Sequence, residues 1–232
     1  MRDSIKNLIK NSIFIECKLP NIEHNLCKTQ YSTDNDFCLQ KSSDDSVAQI
    51  IYNNIIEYAI GEFDIDYDNL DEEQCRAIAE NLKYDEEATK TAKLRYGFYG
   101  EVLLYSLLVN IFSTNVLISK GYFYSPLEKG EPKGFDAYHL IQHNDNVELW
   151  FGEAKFRNDY KQPINEVLSN FSKTTSEGYF RDNVLAIVKE KHNISFGSDV
   201  VDKLTPITQT WRKNVSINVV DELKQNNIEL VY

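Results

Sequence analysis

The sequence predicts an α/β fold: a mixed sheet flanked by helices, preceded by a mainly helical N-terminal addition. Helical spacing of apolar residues runs through 43–112. Two alternating segments, 135–142 and 147–156, then flank the turn chemistry of His143-Asn-Asp-Asn146, which reads as a hairpin. Further strand-length apolar segments follow on either side of a helical stretch. The expected division is 1–85 for the N-terminal addition and 86–232 for the α/β core.

Residues 12–19 alternate as a strand, and the Asn/Asp/Ser-rich stretch 20–45 reads mostly as loop. A helix is expected to start near Ser43 or Ser46. Ser43-Ser-Asp-Asp supplies N-caps and an acidic first turn, and Ala48, Ile51, Ile55 and Ala59 follow at helical spacing. Residues 71–83 read as a short helix and 86–112 as a longer one. A short strand at 120–124 leads into a Pro/Gly/Lys loop at 126–134 and then the hairpin. A helix is expected at 164–171, just after Pro163. Residues 183–188 read as a buried strand, 219–224 as a helix and 228–232 as a closing strand.

The chain has 232 residues, 42% of them apolar, and a formal net charge of −11. That is ample for a real core and argues against disorder. The charge argues against a protein held to DNA by a general basic surface, but not against local contact with nucleic acid. It is also concentrated. Residues 57–87 hold 12 acidic residues against Arg76 and Lys83, so the remaining 201 residues carry a net charge of only −1. This segment is read either as a solvated helix and loop or as a surface that docks a basic partner or shields a nucleic-acid cleft. The most apolar stretch, 102–112, is too short to span a bilayer, and no signal peptide is legible. The four cysteines (Cys17, Cys27, Cys38, Cys75) form no CxxC pair and read as free thiols, so a cytoplasmic protein is expected.

Three places carry chemistry. Glu101 is the only charged residue between Tyr96 and Ser119, and its helical neighbours are Phe98, Leu104, Tyr105 and Leu108. A carboxylate on that apolar face needs neutralising or a partner. A metal ion, a buried Arg, a cap or a backbone bond at the helix edge would each account for it. Asp136 stands at a strand start in Lys133-Gly-Phe-Asp136-Ala-Tyr-His139, where a turn or capping role is the simpler reading of the Asp alone. Glu153 and Lys155, in Leu149-Trp-Phe-Gly-Glu153-Ala-Lys155-Phe, share one side of a strand by period two, beside Leu149 and Phe151.

The combination says more than its parts. Asp136 and Glu153 lie on adjacent strands across a four-residue turn, so their carboxylates can converge at one end of the hairpin with Lys155 a step along. Two carboxylates with a carbonyl and waters make a hard-oxygen site suited to Mg²⁺ or Mn²⁺. A lysine beside it can orient or help deprotonate water, or stabilise developing charge. Arg157, Lys161 and Lys173 are candidate phosphate contacts. Lys189, Lys191, Trp211, Arg212 and Lys213 form a second basic and aromatic group. His139 is read as structural. No GxxxxGK[ST], GxSxG or HExxH occurs, and the Asp-rich stretch from Asp64 departs from a calcium loop at Asn69 and Cys75.

The order helix-Glu101, Asp136, Glu153-x-Lys155 resembles the PD-(D/E)xK nuclease superfamily, whose core runs α-β-β-β-α-β. The resemblance covers about 86–190, with Phe135 where that superfamily often has Pro. More narrowly, Gly-Phe-Asp136-Ala-Tyr-His139 and Phe-Gly-Glu153-Ala-Lys155-Phe, with Tyr-Gly-Glu101 upstream, resemble the HamA family, the nuclease effector of the Hachiman antiphage defence system. That resemblance implies a metal-dependent nuclease acting on DNA beside a helicase partner, HamB, in a heterocomplex. It implies metal roles for Glu101, Asp136 and Glu153 and the catalytic lysine role for Lys155. A non-catalytic binding subunit that keeps the nuclease fold, or a nuclease directed at RNA, remains the alternative.

Overall fold

The computed structural model describes residues 2–15, 39–41, 43–61, 64–82, 84–124, 134–155, 161–194, 197–211 and 218–232. The chain divides into two compact units, Met1–Asn54 and Ile55–Tyr232. In the first, α1 (Asp3–Ser12) buries Ile5 and Ile9, one helical turn apart. The strands β1 (Ile13–Ile15) and β2 (Leu39–Lys41) pair antiparallel. The strand expected at 12–19 is described only for its first residues. Helix α2 (Asp44–Ala59) begins at the expected serines. Ser46 N–H donates to Ser43 Oγ at 3.0 Å, and Ser46 Oγ donates back to the Ser43 carbonyl at 2.9 Å. This reciprocal cap, with Asp44 and Asp45 in the first turn, starts the helix.

The second unit is a mixed α/β structure with a four-stranded sheet of order β3-β4-β5-β6. Helix α3 (Leu70–Asn81) falls where its periodicity places it. The long helix expected over 86–112 is instead broken in two. Thr89 caps the short α4 (Lys90–Lys93) by accepting from Ala92 N–H, and α5 (Phe98–Asn110) starts again after Gly97. The strand expected at 120–124 is a 3₁₀ turn, Lys120–Phe123. The first strand is β3 (Asn115–Val116).

The hairpin stands as expected, with β4 (Ala137–His143) and β5 (Asn146–Gly152) antiparallel and Ala137 opposite Gly152. Asn144 takes φ 52° in the tight turn, a conformation Asn tolerates better than most residues. Strand β5 ends at Gly152, three residues before Lys155, so strand parity does not govern Glu153 and Lys155 as expected.

Helix α6 (Lys161–Thr174) carries Pro163 within its first turn, where the missing N–H is harmless. The strand expected at 183–188 is a helix. Helix α7 (Glu177–Lys189) buries Phe180, Val184, Ile187 and Val188, a stripe with a 3.6-residue period. Ser176 caps α7 by accepting from Tyr179 N–H. Helices α8 (Ser198–Trp211) and α9 (Val219–Gln225) lead to β6 (Ile228–Val231), which pairs parallel with β5. The order α-β-β-β-α-β expected over about 86–190 is met only as far as α6; three further helices, α7, α8 and α9, precede the closing strand β6.

One face of the sheet presents Tyr138, Leu140, Val147, Leu149 and Phe151 to a core built with α7, α8 and α9. The other carries Ala137, His139, Trp150 and Gly152. There α5 approaches: Tyr105 lies edge-on to His139 at 5.6 Å. No helix among the described residues is long and apolar enough to cross a membrane.

Candidate active site

The site forms where the hairpin opens. One residue beyond the pairing of Ala137 with Gly152, Asp136 N–H donates to the Gly152 carbonyl at 2.8 Å. Asp136 Oδ2 accepts from Ala154 N–H at 2.8 Å. The Asp side chain thus ties the start of β4 to the Glu153-Ala-Lys155 segment that leaves β5. Gly152 makes room for this. A Cβ there would stand 2.9 Å from Leu104 Cδ2 and 3.2 Å from Ala137 Cβ, so a larger residue would have to displace the Leu104 side chain and crowd Ala137.

Asp136 and Glu153 lie one residue beyond the Ala137–Gly152 pair, and Glu101, from the first turn of α5, and Glu153 both act electrostatically on Asp136. Burial, then repulsion from Glu101 and Glu153, raises the Asp136 carboxyl to about 7; the Ala154 N–H bond and the Lys120 charge work the other way. Lys155 forms an ion pair with Glu153. Burial disfavours its charge, but the bond to Glu153 and the charges of Glu153, Asp136 and Glu166 outweigh that and raise its pKa. At neutral pH it is an ammonium donor. Glu101, whose place on an apolar helix needed a partner, accepts a hydrogen bond from Tyr58 of α2.

Among the described residues, no three Asp, Glu, His or Cys side chains gather closely enough to cage a metal ion. Mg²⁺ and Mn²⁺ rarely need such a cage, since Mg²⁺ in particular is held by one or two carboxylates with waters and substrate oxygens. The donor set of Asp136 and Glu153, crowded enough to raise an Asp pKa, fits such a cation.

Besides Tyr58, two residues of this neighbourhood carry no signal in the sequence. Tyr179 of α7 stands edge-on to Phe135 at 5.0 Å, and burial, then Glu153 and Asp136, raise its hydroxyl pKa. Lys120 is buried and donates to the Phe135 carbonyl at 2.5 Å. The sequence reads Lys120 only as the start of a short strand, and the tertiary fold carries it to the site.

The expected outer contacts are scattered. Arg157, Arg212 and Lys213 lie outside the described residues, and Lys161 is described only in its backbone. Lys173 is exposed at the end of α6, and Lys189 and Lys191 are exposed near the end of α7. Trp211 does not join a basic and aromatic surface. It is buried in the core with Nε1 donating to Glu222. His139 is structural, 1% exposed and bonded through Nδ1 to Thr114 Oγ1 at 2.7 Å. In the acidic segment Glu57 is buried, Glu73 pairs with Arg76 at 2.5 Å and Asp64 accepts from Tyr122, while Asp66, Asp68 and Asp71 are exposed. Cys75 is exposed and free; the other three cysteines lie outside the described residues.

A mixed α/β unit with an acidic pair, a lysine and a supporting helix Glu at the mouth of a hairpin is the class the fold and site define. The HamA family model matches residues 8–220, and the chain belongs to the HamA family. That membership supports a role in Hachiman defence. No curated protein and no solved structure matches the chain.

Proposed function

We propose that this protein is a metal-dependent nuclease that hydrolyses DNA phosphodiester bonds as the effector of an antiphage defence complex, beside a helicase subunit. The observation that carries the reading is the convergence of Asp136 and Glu153 at the open end of the hairpin, with Lys155 bonded to Glu153. HamA family membership supports it.

Asp136 and Glu153 would hold Mg²⁺ or Mn²⁺, and Glu101 would assist from α5. When bound, the cation supplies Lewis-acid polarisation of the phosphodiester and activation of the attacking water. The protein's own groups do the rest. The backbone bonds to Asp136 fix its carboxylate before substrate arrives, which spares reorganisation during the reaction. Lys155, already charged, orients the nucleophile and stabilises charge developing on the phosphoryl oxygens. The chain contains no phosphate-binding GxxxxGK[ST] loop, so ATP-driven strand separation belongs to the partner.

The test is cleavage of matched DNA and RNA with Mn²⁺, in the presence of the native partner, by wild type, Glu153→Ala and Lys155→Ala. Expected is metal-dependent DNA cleavage by wild type only, with all three proteins equally folded by circular dichroism. Cleavage of RNA alone would move the substrate. Equal products from all three would remove the assignment. Mn²⁺ bound by neither wild type nor Glu153→Ala, with no cleavage, would favour a non-catalytic subunit.

A further inference from the structure

Lys120 opens the 3₁₀ turn Lys120–Phe123 and is only 6% exposed. Lysines are almost never buried unless paired, because an ammonium taken out of water needs an opposite charge to offset the cost. Its place is fixed by its neighbour. A Cβ on Gly121 would lie 2.1 Å from the Ala59 carbonyl oxygen and 2.8 Å from Asn81 Cβ, so the turn is seated against the ends of α2 and α3. This fixes the backbone from which the Lys120 side chain leaves.

The ammonium lies beside the backbone that leads into Asp136. Nζ donates to the Phe135 carbonyl at 2.5 Å and stands 5.7 Å from the centre of the Tyr138 ring. Phe135 is held at its other groups too. Its N–H donates to Tyr138 Oη at 3.1 Å, and its ring stacks on Phe151 at 5.0 Å. The next residue is Asp136, and Lys120 and Asp136 line one small pocket with Tyr58, Tyr105 and His139. The Lys120 charge offsets part of the repulsion that Asp136 feels from Glu101 and Glu153.

We infer that Lys120 is the built-in counter-cation of the acidic site. It is a positioning residue, whose ammonium balances Asp136 and its neighbours and whose hydrogen bond fixes the backbone leading into Asp136. Lys155 serves Glu153, and Lys120 serves Asp136, so each carboxylate has beside it a lysine charge with which a divalent cation would compete. The part of this that concerns a cation rests on the proposed nuclease function. The charge coupling between Lys120 and Asp136 does not.

The experiment is a double-mutant cycle on the full chain in EDTA, using Lys120→Met, Asp136→Asn and the double variant. Expected is a fall in thermal midpoint of about 5 °C or more for Lys120→Met, and a much smaller fall in the Asp136→Asn background. Lys120→Arg, which keeps the charge, should recover part of the loss. Added Mn²⁺ should raise the midpoint of Lys120→Met more than that of wild type, and calorimetry should show Mn²⁺ bound about tenfold more tightly, since one competing positive charge is gone. A side chain that only packs would give equal losses in both backgrounds and equal Mn²⁺ shifts, and that result would overturn the inference. Should Lys120→Met fail to fold, folding of the double variant supports the coupling, and its failure counts against it. Wild type that binds Mn²⁺ without cutting DNA removes the nuclease reading and leaves the coupling. Cleavage with an additive cycle does the reverse.

Discussion

The two faces of the sheet are packed by opposite rules. On one, Leu140, Leu149 and Phe151 meet α7, α8 and α9 through large apolar and aromatic side chains. Phe135 alone lies within 6 Å of Phe151, Tyr179, Phe180 and Tyr232. On the other, α5 meets Ala137, His139 and Gly152, and polar pairs stand between the elements: His139 with Thr114, buried, and Glu101 with Tyr58, half-buried. The first face gains by removing apolar area from water. The second takes ionisable groups out of water, which costs stability unless each is partnered. The difference teaches where the stability of this unit comes from and where function draws on it. The aromatic face supplies an anchor rigid enough to hold a crowded acidic site that, alone, would push itself apart.

The sharpest way to break that comparison is Phe135→Ala. Phe135 is fully buried in the aromatic core yet adjoins Asp136, so it belongs to both faces. Truncation should cost about 3–5 kcal/mol, read as a loss in denaturant midpoint. Because the same residue carries the carbonyl that Lys120 grips, any protein that remains folded should also lose site function. A loss of less than about 1 kcal/mol would mean that the aromatic face is not the anchor.

Acidity sharpens the comparison next, because two buried groups respond with opposite sign. His139 is pushed down to about 3 by burial. Between that value and the ordinary His value near 6.5, the unfolded chain binds a proton that the folded one does not, so this residue lowers stability as pH falls through that window. Asp136 is raised to about 7, so between the ordinary Asp value near 3.8 and 7 the folded protein binds the extra proton. Its contribution is therefore lost as pH rises through that window. Asp136→Asn should gain about 2 kcal/mol at pH 8 in EDTA, with the gap closing near pH 4. Chemical denaturation at both pH values checks it, and an Asn variant less stable than wild type at pH 8 would show that the Asp charge is not a burden there.

Much of this molecule is local and was legible for that reason. The Ser43 cap, the helix at 70–81, the Asn-Asp turn and the hairpin register are each written within a few residues, and the register alone carries Asp136 to Glu153. The closing strand and the helix before it were legible too. The error at 183–188 has a physical cause. Val184-Leu-Ala-Ile-Val188 is β-branched and strand-length, and its helical period shows only when Phe180 is included. The break in the expected helix over 86–112 lies at 94–97, between the end of α4 at Lys93 and the start of α5 at Phe98. Lys120, Tyr58 and Tyr179 were not legible at all, because each reaches the site only through packing between elements far apart in sequence.

Tyr58 gives the smallest and most discriminating test. Its hydroxyl donates to Glu101, and its ring lies edge-on to Tyr105 at 6.2 Å, so Tyr58→Phe removes one hydrogen bond and keeps the packing. A hydrogen bond to a charged group contributes about 1–3 kcal/mol, and relaxation around Glu101 should leave a stability loss near 1 kcal/mol, at the lower end of that range. If Glu101 assists metal binding, the loosened carboxylate should also weaken Mn²⁺ affinity by about three- to tenfold, while Glu101→Gln abolishes that difference between Tyr and Phe at position 58. If Glu101 is only a partnered core carboxylate, the same substitution shifts the thermal midpoint and leaves Mn²⁺ affinity untouched. The polar face would then hold a two-carboxylate site, with α5 serving as its wall rather than its third ligand.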